Sequence, residues 1–475
     1  MKINPHIFRG YDIRGVVDED LNLEIVETIG KAHGTFLKRA GITKAVVGRD
    51  CRKTSPEYSQ AVIKGLNWAG IDTVDIGMEL VGTFYWSQYF LDCKGGVYVS
   101  ASHNPAQYNG FKLAVDFSET MVSESIQELR EMIENDDFEK GETFGKNEQK
   151  SIRRDYFSKL LEKFSFSKKF KVLVDTNCST AGEIVPEILR KIGSEVIEKN
   201  CIIDPSFPLG TADPTDYDFI KRLSEEVLQE KANIGFCYDT DGDRIGIVDE
   251  KGNIIWNDVL VAIFSMGVLK DFPGDIIMYN TLCSKIVEDT ILQNKGRPFM
   301  WRTGHSFLKK KNQEVKAAFI GELSGHFFFS KNFYNHDDGI FSTLYLLNYL
   351  DKTNQTLSMV VESLPKYISS PEIKLFCADD KKVELIKKLS VVLKEKFPEA
   401  EVIDDQRAGD GLRVNLDYGM FVARYSQNGP YLTIKFEAKE KDKYDYLKKY
   451  IKELLHNYPE VDWSSPMCLN INAFN

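Results

Sequence analysis

At 475 residues the chain is too long for one core, so three or four domains are expected. Its 43% hydrophobic and 28% charged residues are those of a globular protein, and a net charge of −10 with no strongly basic block argues against nucleic acid as the main partner. Met1-Lys2-Ile3-Asn4-Pro5-His6 lacks the apolar run of a signal peptide, and no stretch approaches the roughly 18 apolar residues of a membrane span. The eight cysteines are scattered without a C-x-x-C pair, which suggests neither a zinc site nor a disulfide framework; a reduced, cytoplasmic protein without a membrane partner is expected.

Apolar β-like runs alternate with amphipathic helical segments. Ala45 to Asp50 leads into a helix over Ser55 to Ala69 and then Thr73 to Gly77. Phe170 to Asp175 leads into Gly182 to Ile192 and then Ser194 to Ile197, and Asp275 to Tyr279 leads into Ser284 to Leu292. This spacing implies right-handed crossovers and mixed, mostly parallel sheets in three successive α/β units. Charged or turn-rich stretches mark boundaries at Glu134 to Lys150, Lys251 to Asn257 and Ile368 to Pro371. Beyond Pro371 the pattern changes. A helix over Lys381 to Phe397 precedes short strands at Gly411 to Leu416, Met420 to Tyr425 and Tyr431 to Glu437, and a last helix follows from Asp442, the expected N-cap, to Leu455. The fold class is therefore α/β: three related mixed-sheet α/β domains (1–150, 151–254, 255–368) and a smaller C-terminal α+β domain (369–475).

Val97 to Val99 reads as a buried strand running into Ser100-Ala101-Ser102-His103-Asn104-Pro105, a polar turn. A hydroxyl at a strand end is where α/β enzymes place a nucleophile or phosphate carrier, although a turn satisfying only backbone groups has the same composition. Asp239-Thr240-Asp241-Gly242-Asp243-Arg244 sets three carboxylates at i, i+2 and i+4 between apolar runs. Like charges this close repel unless a cation sits among them, and an oxygen set with open positions suits Mg²⁺. An EF-hand would need glycine where Arg244 stands, and helices rather than strands on either side. A dehalogenase-type phosphatase would carry its D-x-D-G near the N-terminus and follow the glycine with threonine, not Asp243. Arg244 beside the triad fits a site where phosphate also docks.

Arg302-Thr303-Gly304-His305-Ser306 precedes a helix whose N-terminus can receive an anion, and the run Lys309-Lys310-Lys311 behind it reads as a solvated face. In Gly321-Glu322-Leu323-Ser324-Gly325-His326 an extended backbone would point Glu322, Ser324 and His326 to one side, a set suited to vicinal sugar hydroxyls. Arg424-Tyr425-Ser426-Gln427-Asn428-Gly429-Pro430 ends a strand with groups that can cradle a phosphate dianion, and is equally an ordinary hairpin turn.

Together these segments resemble the α-D-phosphohexomutase family, in particular its phosphomannomutase/phosphoglucomutase branch. Phe8 to Gly15 is similar to that branch's opening motif, Ser100 to Pro105 to its phosphoserine loop, Asp239 to Arg244 to its metal loop and Gly321 to His326 to its sugar loop; Arg424 to Pro430 matches its last-domain phosphate loop more loosely. The resemblance spans nearly the whole chain in family order. It implies four domains around a central cleft, Mg²⁺ bound by Ser102, Asp239, Asp241 and Asp243, and a hexose 1,6-bisphosphate intermediate. Ser102 falls on the phosphorylated position and Lys112 on the proposed general acid/base, with cations nearby expected to lower its pKa; His103 and Arg244 are assigned to the same chemistry. Tyr11, Arg14, His305, Glu322, Ser324, His326, Arg424, Ser426 and Asn428 are assigned to substrate binding. The expected partners are hexose phosphates, with mannose or glucose as the sugar. A monomer is expected, with a dimer as the alternative. A phosphoglucosamine mutase, which usually has another residue at Leu323 and lacks the opening motif, is the second enzymatic reading, and a non-catalytic sugar-phosphate-binding protein the third. Two departures stand out. Tyr425, Gln427, Asn428 and Gly429 replace four residues of the usual Arg-Pro-Ser-Asn-Thr-Glu-Pro, and Leu282 stands ahead of Cys283 where many relatives carry a basic residue, whose charge Arg302 or Lys285 would have to supply.

Overall fold

The computed structural model describes residues 3–426 and 429–475, among which the strands form four sheets. The chain divides into two compact units, Met1–Trp256 with Ser324–Glu362, and Asn257–Leu323 with Ser363–Asn475. The segment expected as a third domain is thus shared between the two.

In the first unit one sheet holds β1 (Ile13–Val16), β2 (Lys44–Arg49), β3 (Asp72–Met78), β4 (Gly95–Val99), β5 (Tyr108–Asp116), β6 (Glu119–Thr120) and β7 (Asn147–Gln149), in the order β1-β5-β4-β2-β3-β7 with β6 beside β5. Strands β2, β3 and β4 run parallel, as their continuous apolar runs require, and β5 returns antiparallel to β4. That return places Lys112, opposite Tyr98, a short distance along the chain from the turn bearing Ser102. Strand β7 lies in the charged stretch read as a boundary; pairing with β3 makes it the edge of this sheet. The helices Leu23–Arg39 and Ser55–Trp68 pack on one face, sealing a core of Val26, Ile29, Val62 and Leu66 against Val47, Val97 and Phe111. Gly110 on β5 has no room for a side chain: a Cβ there would lie 2.2 Å from the Ile13 carbonyl oxygen on β1.

The second sheet of this unit orders β8 (Lys171–Asp175), β9 (Glu195–Lys199), β10 (Ile234–Tyr238), β11 (Ile245–Asp249) and β12 (Ile254–Ile255) as β12-β11-β10-β8-β9. Strands β10 and β11 are antiparallel and buried throughout, so the turn between them, 239–244, is held on both sides by core. Gly242 in that turn has φ +69°, a backbone state open to glycine. Helix Gly339–Thr353 packs behind β11, and Tyr238 Oη lies 2.6 Å from Thr343 Oγ1. Its burial on nearly every side leaves no 3.6-residue apolar stripe to read in the sequence.

The second unit carries the parallel strands β13 (Ile276–Asn280), β14 (Arg297–Trp301) and β15 (Phe319–Gly321) with helices Asn257–Asp271 and Lys285–Gln293. It also carries an antiparallel sheet in the order Glu401–Ile403, Gly411–Leu416, Gly419–Tyr425, Tyr431–Ala438, Ile373–Cys377, Val461–Asp462. Helices Asp379–Lys396 and Lys441–His456 supply Leu385, Leu389, Leu447 and Ile451 to its core. The last helix begins at Lys441 with Glu440 as N-cap, so Asp442 sits in the first turn, where a carboxylate favours the helix dipole. No helix among the described residues is long and apolar enough to cross a membrane.

Candidate active site

Ser102 follows β4 in a left-handed backbone conformation, φ 49°, and is buried. Its N–H donates to Ser100 Oγ at 2.8 Å, and its hydroxyl lies 3.1 Å from Asp239 Oδ2 and 3.2 Å from His103 Nδ1. Ser100 Oγ lies 3.3 Å from Asp241 Oδ2. The turn bearing Ser102 and the carboxylate turn, more than 130 residues apart in sequence, therefore meet side chain to side chain within the first unit.

Asp239, Asp241 and Asp243 are buried, and each offers an oxygen within 4.8 Å of the others. Burial, and then the charges of Asp243 and Asp241, hold the Asp239 carboxyl well above the ordinary range. Asp241 Oδ1 is buried without a hydrogen-bond partner. Three convergent hard oxygens with an unmet acceptor fit a divalent cation of the Mg²⁺ type. Lys112 Nζ lies 2.9 Å from Asp241 Oδ2 and 2.6 Å from Asp243 Oδ2. The expectation that cations would lower the pKa of Lys112 is not met. Burial lowers it, but Asp241 and Asp243 outweigh that effect and hold the ammonium well above its usual value.

Arg244 is clamped between two carboxylates. Its Nε lies 3.0 Å from Asp239 Oδ2 and its Nη1 3.2 Å from Asp213 Oδ1. Its backbone bridges that of His326, whose Nε2 lies 3.6 Å from Asp243 Oδ1 and 3.9 Å from Asp337 Oδ2. Burial pushes the His326 imidazole down to about 3, so the ring is neutral. Its Nδ1 lies 2.9 Å from Ser324 Oγ. Arg14 joins the same site from β1: Nη1 donates to Asn104 Oδ1 at 2.8 Å and to the Ala101 carbonyl at 3.3 Å, while Nε donates to Asp12. Tyr11 lies close enough for its phenol to act electrostatically on Arg14.

The remaining assigned residues lie in the second unit. Glu322 Oε2 accepts from the Gly304 N–H at 2.9 Å and faces Asn280 Nδ2 at 3.5 Å, which ties it to the loop carrying His305, the buried first residue of helix His305–Val315. The loop 321–326 is a turn with Gly325 at φ 96° rather than the extended run expected; Ser324 pairs with His326, and Glu322 accepts from the Gly304 N–H. Arg424 meets Asp410 through Nε at 3.1 Å and Nη2 at 2.5 Å. Ser426 donates its N–H to the Tyr431 carbonyl and accepts from Lys382 Nζ at 2.6 Å through its own carbonyl. Asn428 lies outside the described residues. Leu282 is buried against Met420 and Val422 with Leu323 at the edge, so an apolar cluster fills the place of the absent basic residue. Lys309, read as part of a solvated run, is buried.

Arg52, Asp213 and Asp337 escaped the sequence reading. Asp213 sits in an Asp-Pro-Thr turn, its Oδ1 accepting from the Thr215 N–H and hydroxyl, and in sequence this is an ordinary turn signal.

Family models described as phosphoglucomutase/phosphomannomutase alpha/beta/alpha domains I, II and III match residues 5–140, 154–252 and 256–367. A phosphomannomutase/phosphoglucomutase of Pseudomonas aeruginosa is 36% identical over 461 residues, 97% of each chain. A phosphoglucomutase of Neisseria meningitidis serogroup A is 30% identical over 460 residues, 96% of this chain and 98% of its own. The solved structure of a phosphoglucomutase/phosphomannomutase family protein from Burkholderia thailandensis superposes with a TM-score of 0.89 at 31% identity, covering 97% of this chain and 99% of that one. A serine hydroxyl set against a carboxylate cluster and two buried cations, on a fold matched from end to end, defines an isomerase of the phosphohexomutase class. Within that class, the chain belongs to the phosphoglucomutase/phosphomannomutase family.

Proposed function

We propose that this enzyme moves a phosphoryl group between C1 and C6 of mannose and/or glucose phosphates, with Ser102 as the carrier and hexose 1,6-bisphosphate as the intermediate. The observation that carries the reading is the 3.1 Å approach of Ser102 Oγ to Asp239 in the three-carboxylate turn. Asp239, Asp241, Asp243 and the phosphorylated Ser102 would hold Mg²⁺, which when bound neutralises charge on the phosphoryl group. A sugar hydroxyl attacks phosphorus, the bond to Ser102 Oγ breaks, and the hydroxyl proton passes to a base. The protonated Lys112 is placed to donate to the departing Ser102 oxygen, and His103, beside that oxygen, to take part in the proton transfer, whereas His326, held far below its ordinary value by burial, is a weak base and serves in binding. Arg244 Nη2, buried without a hydrogen-bond partner, is available to the moving phosphoryl group, as befits a transfer driven by positioning and charge. Tyr11 and Arg14 flank the Ser102 turn. His305, Glu322 and Ser324 hold sugar hydroxyls, and Arg424, Ser426 and Asn428 hold the phosphate that does not react.

We assign the four functional regions to 1–150, 151–254, 255–368 and 369–475. We assign a monomer, and the eight free thiols support a cytoplasmic setting. The test is a coupled assay with glucose 1-phosphate, mannose 1-phosphate and glucosamine 1-phosphate, run with Ser102→Ala and intact-mass measurement. Turnover of the first two, a phosphorylated fraction in the wild type and loss of both in the variant are expected. Full activity of Ser102→Ala overturns the mechanism, and turnover of the glucosamine ester alone overturns the substrate assignment.

A further inference from the structure

The turn that carries Ser102 is held from its far side by one guanidinium. Arg52 follows β2 in the sequence Gly48-Arg49-Asp50-Cys51-Arg52 and is among the largest fully buried side chains. Its Nη2 donates to the carbonyls of Ser102 at 2.6 Å and Asn104 at 2.5 Å, and its Nη1 donates to those of Pro105 at 2.8 Å and Tyr108 at 3.0 Å. Four acceptors of one seven-residue turn thus converge on one planar cation. Its Nε lies 3.2 Å from Asp50 Oδ2, and its face lies 5.1 Å from the Phe207 ring centroid. Asp50 is itself fixed by the Arg52 N–H at 2.9 Å and Ser55 Oγ at 2.5 Å. A guanidinium offers a rigid fork with donors on both edges, whereas an ammonium offers three donors from one point and cannot span acceptors spread along a turn.

The geometry points to Arg52 as a positioning residue for the Ser102 nucleophile. We infer that it fixes the backbone of residues 102–108 so that the hydroxyl stays aimed at Asp239. Two clamps act on Ser102: Ser100 Oγ takes its N–H and Arg52 takes its carbonyl. Between them they hold a non-glycine residue at φ 49°, a state disfavoured by about 1–2 kcal/mol unless its surroundings impose it. The Arg52 fork donates to backbone carbonyls of the turn, so its influence on the reacting oxygen passes through the turn. The inference rests on the reading of Ser102 as phosphoryl carrier. A nucleophile misplaced by about 1 Å loses on the order of 10²-fold in rate without losing its binding contacts, which lie elsewhere.

The experiment compares Arg52→Lys with wild type in steady-state kinetics and in hydrogen exchange resolved to single amides. A fall in kcat of about 10²-fold, with KM for the monophosphate within about twofold, is expected. Faster exchange confined to the amides of 102–108 is expected with it. Wild-type kcat and exchange overturn the inference, as does a rate loss accompanied by uniform loss of protection across the first unit, which marks a structural role. If Arg52→Lys fails to fold, Asp50→Asn carries the test, since it loosens the anchor of the guanidinium while leaving every donor to the turn. A several-fold fall in kcat at unchanged KM with local exchange supports the inference, and wild-type behaviour overturns it. Ser102→Ala separates the two levels. If that variant turns over, the reading of the site fails; if it is dead and the Arg52 and Asp50 variants behave as wild type, only the positioning role falls.

Discussion

Replacing Lys112 by methionine removes a buried cation that lies 2.6 Å and 2.9 Å from two carboxylate oxygens while nearly preserving its volume. At an effective dielectric constant near 20 each such contact is worth on the order of 6 kcal/mol before desolvation is subtracted. Breaking a buried pair by removing one partner costs about 3–5 kcal/mol, because the partner charge stays behind. Here two carboxylates stay behind, next to a third whose carboxyl is already held well above its ordinary range by burial and by them. The melting temperature of the first unit in chelator should therefore fall by roughly 6–10 °C, taking about 2 °C per kcal/mol for a unit of this size. Mg²⁺ should recover much of the loss. The carboxylates released by Lys112 are those that would hold the metal, and a ligand at about 100 times its Kd contributes about 2.7 kcal/mol. The Lys112→Met variant should thus gain more from Mg²⁺ than the wild type does, while its turnover falls at least about 10²-fold. Differential scanning with and without chelator, beside the coupled assay, reads all three quantities. A variant that melts with the wild type in chelator would show that the ammonium is not what balances the carboxylate turn.

His33 is buried on helix Leu23–Arg39, its Nε2 3.2 Å from the Gly96 carbonyl, and burial lowers its pKa to about 4. The folded value lies below the unfolded value near 6.5, so the unfolded chain binds more protons between the two. Stability from neutral His33 is full above about pH 6.5 and falls by roughly 3 kcal/mol as pH drops through 4. Denaturant midpoints at pH 7.5, 6 and 5 should fall less steeply for His33→Gln; parallel curves would refute this. Arg424→Ala should raise KM for the monophosphate about 10-fold or more and release hexose 1,6-bisphosphate, detectable by chromatography, in line with loss of a charge-assisted contact. Unchanged KM without leakage would make Arg424 a turn residue paired to Asp410. Lys435 forms a buried ion pair with Asp258 inside the second unit. Lys435→Met should destabilise that unit by about 3–5 kcal/mol and Lys435→Met with Asp258→Leu much less, read as hydrogen-exchange protection at Thr433 and Glu437. Equal loss in the single and double variants would argue against a stranded charge.

The parts legible in the sequence are those whose chemistry is packed into a few consecutive residues. Asp239, Asp241 and Asp243 announce themselves because nothing but a cation or partner charges reconciles three carboxylates at that spacing. Ser102 is legible because strand, turn and hydroxyl are contiguous. Helix Val81–Phe90 is harder to read: buried nearly all round, it has no polar face to set a period. The same holds for helix Gly339–Thr353. Strand β7 is exposed along its length and reads as a linker until β3 pairs with it. Arg52 and Asp213 act on partners 50 and 31 residues away, which no local pattern announces. At 321–326 the periodicity argument assumed an extended backbone, which the turn with Gly325 at φ 96° does not supply.

The packing of Leu282 bears on what substitutions this lineage can still explore. Its side chain fills a cluster with Met420 and Val422 on the strand Gly419–Tyr425, with Leu323 alongside. A lysine installed at 282 by a single change would bring an ammonium against those apolar groups, and a desolvated charge without a partner is strongly disfavoured. Polar residues at 420 or 422, arriving first while Leu282 remains, would bury unmet hydrogen-bonding groups in the same place. Neither order offers an easy intermediate. A contact that calls for a cation at this place would therefore have to draw it from a neighbouring loop, because a charge on 282 itself would be buried among apolar groups.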